Sequence, residues 1–237
     1  MPKLHVLLKK EEVDSARLEG KVVIVLDVLF GTSTIVHAFA QGIVSLWPAR
    51  DAAEAHRIAA NLDQPMLAGE FLAATLPGFA PPTPLALAAC GLRGATVVYA
   101  TTNGTAALAN SSNAAFVYVG ALLNGAALVA RVTLLHPDAQ VLIVCSGSME
   151  RFNLEDFYGA GHLVAHFERR GNYEFTDAAQ AALLLYHGCA ARTALGASRV
   201  GQMMLAQGLQ HEVDCAARLD VLEVVPELRD GCVRLAA

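Results

Sequence analysis

Residues 21–42, KVVIVLDVLFGTSTIVHAFAQG, carry the strand and helix pattern on which the fold is built. The first seven, Lys21 to Asp27, form a β-branched run too short for an ordinary helix and apolar on both faces, the pattern of a buried parallel strand. The segment that follows offers hydroxyl N-cap candidates, an apolar stripe at Ile35, Ala38 and Phe39, and Gly42 as a stop. The unit is strand, loop, helix.

The same grammar recurs along the chain. Strands are predicted at Ala95 to Ala100, Phe116 to Val119 and Val141 to Cys145, with weaker ones at His5 to Leu8, Ile43 to Trp47, Met66 to Ala68 and Val221 to Val225. After the first of these, TTNGTAALAN opens a short helix that Thr102 or Asn103 can cap. An Ala-rich helix is expected from about Ala121 to Leu135, and another from about Leu154 to Arg169 with Asn153 as cap and Asp156 at the third position. Further helices are expected at Asp51 to Ala60, Asp177 to Tyr186 and Arg199 to Leu209, and Pro77 to Pro84 reads as the one long surface loop. Strands alternating with helices imply right-handed crossovers. The expected fold is a single α/β domain over residues 1–237, three layers α/β/α around a mostly parallel or mixed sheet.

Composition agrees and removes several function classes. Hydrophobic residues make up 54% and aromatics 6%, so the core must be built from Ala, Leu and Val between helices and sheet. The apolar runs Val22 to Leu29 and Ala121 to Val129 fall short of the ~20 residues of a membrane span, and no signal-peptide pattern follows Met1, so a cytoplasmic protein without a membrane partner is expected. A formal charge of −5 without Lys or Arg clusters predicts no nucleic-acid partner. Five widely spaced cysteines without a C-x-x-C pair suggest core thiols. The high apolar content and mean hydropathy of +0.42 favour a homodimer or larger homo-oligomer.

In open α/β sheets ligands bind beyond the carboxyl ends of the strands, so the polar residues after each apolar run carry the functional signal. Asp27 ends the first strong strand, with Thr32, Ser33 and Thr34 just after it; Thr101, Thr102, Asn103, Gly104 and Thr105 follow the second; Ser146, Gly147 and Ser148 follow another. A phosphoryl group needs converging N–H and O–H donors, and a small-residue loop opening a helix provides them. Asp27, Glu70, Glu155 and Asp156 add carboxylates where an unpaired charge near the core is costly. Hydroxyls beside carboxylates suit a hard divalent ion, and Mg²⁺ takes one or two carboxylates plus water and substrate phosphate oxygens. His162 and His166 are four residues apart but lack the Glu of an H-E-x-x-H zinc motif, and no Walker A, G-x-G-x-x-G or G-x-S-x-G pattern is present.

Taken in order, VVIVLDVLFGTSTIV, LAGE, TTNGTAAL, ALLNGAALV, CSGSMERFNLEDFYGAG and TDAAQAA resemble the motifs of the 2-phosphosulfolactate phosphatase family over roughly residues 20–226. The resemblance implies a three-layer α/β fold, oligomeric assembly and a magnesium-dependent phosphatase that releases sulfolactate in coenzyme M biosynthesis. Carried over by position, Asp27, Thr34, Glu70, Thr101 to Thr105, Glu155 and Asp156 match the family's polar motif residues, as do Asn124 and Asp177. Three places depart. Phe30 and Gly31 stand where the family usually reads D-V-L-R-A-T-S-T, Phe71 replaces the Arg of G-E-R-G-G, and the N-S-P loop is replaced by Gly78 to Pro84.

The resulting expectation is hydrolysis of a small anionic phosphoester. Asp27 or Glu70 would act as catalytic carboxylate, directly or through water. Asp27, Glu155 and Asp156 would hold Mg²⁺, and Thr32, Ser33, Thr34, Thr101, Thr102, Asn103, Gly104, Thr105, Ser146 and Arg151 would bind substrate and phosphate. The competing expectation is a relative that binds an anionic metabolite without turning it over.

Overall fold

The structure, a computed structural model, describes residues 1–171 and 173–236. The decisive stretch folds as read: β2 (Val22–Leu26) is buried at all five positions and runs into α1 (Gly31–Ala40). Its two parallel neighbours are β7 (Phe116–Gly120) and β8 (Val141–Cys145). Beyond β8 lie β1 (Lys3–Leu7) and β9 (Glu174–Phe175). The other half holds β3 (Ser45–Ala49), β6 (Thr96–Ala100), β4 (Met66–Phe71) and the short β5 (Ala74–Thr75).

A hairpin of β10 (Pro226–Arg229) and β11 (Cys232–Leu235) joins the halves antiparallel to both. The order is β5-β4-β6-β3-β11-β10-β7-β2-β8-β1-β9, so the sheet is mostly parallel and mixed. The expected strand at Val221 to Val225 is absent; that run lacks ladder partners. Asp230 and Gly231, both with positive φ, instead turn the hairpin just beyond it. A two-residue Asp-Gly turn is a strong hairpin signal.

Side-chain alternation sorts β2 into two cores. Val23 and Val25 pack with α1 and with α4 (Gly104–Asn110), whereas Val22, Ile24 and Leu26 pack toward α5 (Gly125–Leu135), α6 (Leu154–Arg170) and α7 (Asp177–Gly188). Asp27 shares the parity of Val23 and Val25 and therefore faces α1 and α4. The helix α2 (Ala52–Ala59), with the Asp51 side chain accepting from the Glu54 amide, packs on β3, β4 and β6.

Three short helices follow α7: α8 (Ala191–Ala197), α9 (Arg199–Ala206) and α10 (Gln210–Ala216). They form a satellite core over Val28, Leu29 and Phe30. The expected helix from Ala121 begins as a single 3-10 turn, Leu122–Asn124, because the Asn124 carboxamide accepts from the Ala121 amide and donates to the Val224 carbonyl.

The proline-rich segment is not a free surface loop. The Pro82 carbonyl accepts from the Thr34 and Tyr99 hydroxyls, and Pro84 is the first residue of α3 (Pro84–Ala88). Buried Glu212 of α10 accepts from the Thr83 hydroxyl and the Leu85 and Ala86 amides, a helix cap supplied from far along the chain. Among the described residues, no helix is long and apolar enough to cross a membrane.

Candidate active site

Four strands lie between β2 and β6, so a flat sheet would separate their ends by about 24 Å at ~4.8 Å per strand. Yet a Cβ built on Gly104, just after β6, would fall 2.7 Å from Asp27 Oδ2, and one on Gly31 would fall 2.4 Å from the same atom. The loops after β2 and β8 end neighbouring strands, but the loop after β6 does not; the sheet curls, and α1 and α4 fill the concavity. Only glycines allow the starts of both helices to close on this carboxylate.

Asp27 is buried, and among the described residues no donor lies within hydrogen-bond reach of its carboxylate. Burial, and then the charges of Asp156, Glu70 and Glu155, push its pKa well above the usual range, while Lys10 pulls it down. It forms the floor of a cleft of about 230 Å³, beside Glu70, Tyr99, Thr101, Thr102 and Asn103.

Glu70 accepts from the amides of Thr102 and Ala73 at 2.7 Å each, so both oxygens hold backbone in place. The Thr102 hydroxyl is buried at the cleft without a partner. Thr101 and Thr105 satisfy one another: the Thr105 amide donates to Thr101 Oγ1 at 3.3 Å and the Thr105 hydroxyl to the Thr101 carbonyl at 2.7 Å.

The acidic pair divides its work. Asp156 accepts from the Val28 amide at 2.8 Å, the Gly147 amide at 3.1 Å and the Ser146 hydroxyl at 3.2 Å, tying the ends of β2 and β8 together. Burial raises its pKa and these donors oppose the rise. Both Glu155 oxygens are buried without a hydrogen-bond partner. Burial and then the Asp156 charge push its pKa up to about 8, against the pull of nearby Ser198 and Arg199. Asn153 does not cap α6 as expected, because its Oδ1 accepts from the Ser148 hydroxyl and from Arg199.

The α1 hydroxyls are buried and turned inward, away from the cleft. Thr32 accepts from the Asp27 amide at 2.8 Å, Ser33 donates to the Val28 carbonyl at 2.8 Å, and Thr34 donates to Pro82. None of the three caps α1, whose first flanking residue is Phe30. Ser146 likewise lies behind the floor. Arg151 is exposed in the tight turn after Ser148, and Arg93 packs beside Gly42; neither lines the cleft. Asp177, at the start of α7, is exposed and outside it.

The cations at the site are Lys10 and Arg199, neither of them singled out from sequence. Lys10 Nζ donates to Asn103 Oδ1 at 3.1 Å and to the Ser146 carbonyl at 3.3 Å, and it pairs with Glu11. It follows β1 directly, so the strand-end rule applied to that weaker strand would have found it. Arg199 donates to Ser148 Oγ and, at 3.2 Å, to Asn153 Oδ1; nothing in its local sequence marks it.

These motifs match a known pattern along most of the chain. The family described as 2-phosphosulpholactate phosphatase matches residues 7–231. The chain belongs to this family. Relatives include a probable 2-phosphosulfolactate phosphatase of Carboxydothermus hydrogenoformans, 32% identical over 97% of this chain and 95% of its own length. Proteins of the same description from Deinococcus radiodurans (33% identical; 89% of this chain, 88% of the relative) and Clostridium beijerinckii (26%; 97% and 98%) are also similar. Membership places the chain among phosphoric monoester hydrolases.

His162 and His166 form the one trio of His, Cys, Asp or Glu ligand atoms within 4.8 Å of one another among the described residues, with Asp220, away from the cleft. Their Nε2 atoms lie 3.1 and 3.0 Å from the two Asp220 oxygens. Arg169 lies 3.0 Å from His166 Nδ1 and can only donate, so neutral His166 carries its proton on Nε2, toward Asp220. The trio is a hydrogen-bonded clasp.

Proposed function

We propose that the chain hydrolyses a phosphate monoester with Mg²⁺ bound at its acidic floor, its substrate being 2-phosphosulfolactate or a related small 2-phospho acid. The carrying observation is the Asp27 carboxylate, buried, without a donor, and wedged between two helix starts at the base of a cleft. Support for magnesium comes from the orphaned Glu155 oxygens and from an all-oxygen donor set. One or two of Asp27, Glu155 and Asp156 would hold the ion. When bound there, Mg²⁺ supplies charge that neutralises phosphate oxygens and stabilises the transition state.

The chain's own residues supply the rest. The unpaired Thr102 hydroxyl and Asn103, which Lys10 holds through Oδ1, meet phosphate oxygens. Asp27, with its raised pKa, takes a proton from the attacking water, the water oxygen bonds to phosphorus as the ester P–O bond breaks, and the leaving alkoxide takes that proton from Asp27. Direct attack by Asp27, giving an aspartyl phosphate, is the alternative route. Acid quench during a single turnover separates them, since only the second leaves a hydroxylamine-reactive acyl phosphate on Asp27. Glu70, with both oxygens on amides, positions the 101–105 loop.

Purified protein with MgCl₂ should release phosphate from 2-phosphosulfolactate or a smaller 2-phospho acid, and Asp27→Asn should lower the rate at least ~1,000-fold. Undiminished release by that variant removes Asp27 from the chemistry. No release from a broad phosphoester panel leaves only an anion-binding relative. The reading includes a homo-oligomer, supported by Leu134 and Leu184, which are 78% and 72% exposed. Light scattering that gives a monomer mass would remove that part.

A further inference from the structure

We infer that the substrate of this cleft carries an apolar group where 2-phosphosulfolactate carries its sulfonate: a 2-phospho carboxylic acid with an aliphatic or aryl side chain. The inference rests on the phosphatase reading above and names the substrate class for the same site. Opposite the polar floor the wall is carbon. Leu29, Phe30, Val200, Met204 and Leu209 line it, and all but Leu209 are buried in the satellite core of α8, α9 and α10.

The mouth is apolar too. Leu72, Met149 and Met203 line it at 61%, 67% and 38% exposure. Leu72 with Ala73, and Met149 with Glu150, have the positive φ that non-glycine residues rarely adopt. Two tight turns thus hold large apolar side chains over the cleft in a backbone conformation that local preference disfavours.

Charge decides between substituents. Among the described residues lining the cleft, Arg199 is the one Lys or Arg, and its anchoring on Ser148 and Asn153 presents a fixed guanidinium for one carboxylate. With the phosphate on the floor and the carboxylate on Arg199, a sulfonate would face the carbon wall and meet no further cation among the lining residues. It is ionised at every working pH, so it cannot escape desolvation by taking up a proton, and an unpaired buried anion is strongly disfavoured. An isobutyl or benzyl group gains from the same surroundings.

The test compares kcat/KM for phosphate release from 2-phosphosulfolactate and from 2-phospho-4-methylpentanoate, with Mg²⁺. The apolar ester should be preferred on the order of 100-fold. Equal rates, or a preference for the sulfonate, would overturn the inference. Met203→Arg, at the exposed mouth, should shift the ratio about tenfold toward the sulfonate while melting as the parent does. A folded variant with an unchanged ratio counts against it. If neither ester is turned over, the hydrolytic reading fails by itself. Calorimetry with the non-hydrolysable phosphonate analogues of both then decides: tighter binding of the methylpentanoate analogue upholds the apolar wall, and equal, weaker or absent binding overturns it.

Discussion

A carboxylate can sit unpaired at Asp27 because Gly31 and Gly104 leave it room. Gly104→Ala would bring a methyl group within 2.7 Å of Oδ2 and displace either the helix start or the carboxylate. We expect ~1–3 kcal/mol of destabilisation from this overpacking and a far larger proportional loss of phosphatase rate. A variant that melts lower but keeps parental kcat would show that the position of Asp27 is not critical. Glu155 behaves in the opposite sense. Its folded pKa, about 8, lies above the unfolded value, so its contribution to stability is full below about pH 4.5 and is lost as pH rises through 8. In metal-free protein Glu155→Gln should raise stability by ~2 kcal/mol, roughly 4–8 °C in Tm, with more gain at pH 8 than at pH 5. The same change should weaken Mg²⁺ binding. A gain independent of pH would contradict the assignment of the cost to this carboxylate.

At the scale of elements, α3 and α10 are stapled by one side chain. Glu212 meets the Thr83 hydroxyl and two first-turn amides of α3, and Thr83 lines the cleft. Glu212→Ala leaves the buried Thr83 hydroxyl and two half-buried amides without their acceptor and should cost about 2–4 kcal/mol. Faster amide exchange in residues 84–88 than elsewhere, with a rise in KM, is the expected signature; uniformly faster exchange would mean that the cap serves the whole fold instead. The hairpin of β10 and β11 depends similarly on Asp230 and Gly231. Its turn needs positive φ at both positions, which explains why two short strands can bridge the halves of the sheet.

Across the whole molecule, the clasp of His162, His166 and Asp220 fastens the segment before β10 to α6, and Asp220 also accepts from the Ala126 amide near the start of α5. Burial pushes the Asp220 pKa up, but the His162 hydrogen bond and charge, the Ala126 amide and His166 outweigh it and hold it near 2. The folded value lies below the unfolded one, so this stabilisation is present above about pH 4 and is lost as pH falls toward 2. Discounted for solvent screening, it amounts to ~1 kcal/mol. Asp220→Asn should flatten the acid limb of the stability curve between pH 4 and 2, followed by urea melts; an unchanged limb would place acid sensitivity elsewhere.

Local pattern was enough for the repeating unit and its chemistry. An all-apolar β-branched run can only be an internal strand, the small polar residues after it can only be strand-end loops, and Asp27, Glu70, Thr102 and Asn103 were legible as cleft residues for that reason. Tertiary structure decided what those loops meet. Curvature brought the end of β6 to β2 across four intervening strands, and no local pattern encodes curvature. It also turned Thr32, Ser33 and Thr34 inward, left Arg151 in solvent and supplied Lys10 and Arg199 in its place. A side chain's type is written in the chain, but the direction it faces depends on which backbone groups elsewhere need a partner when the sheet closes over them.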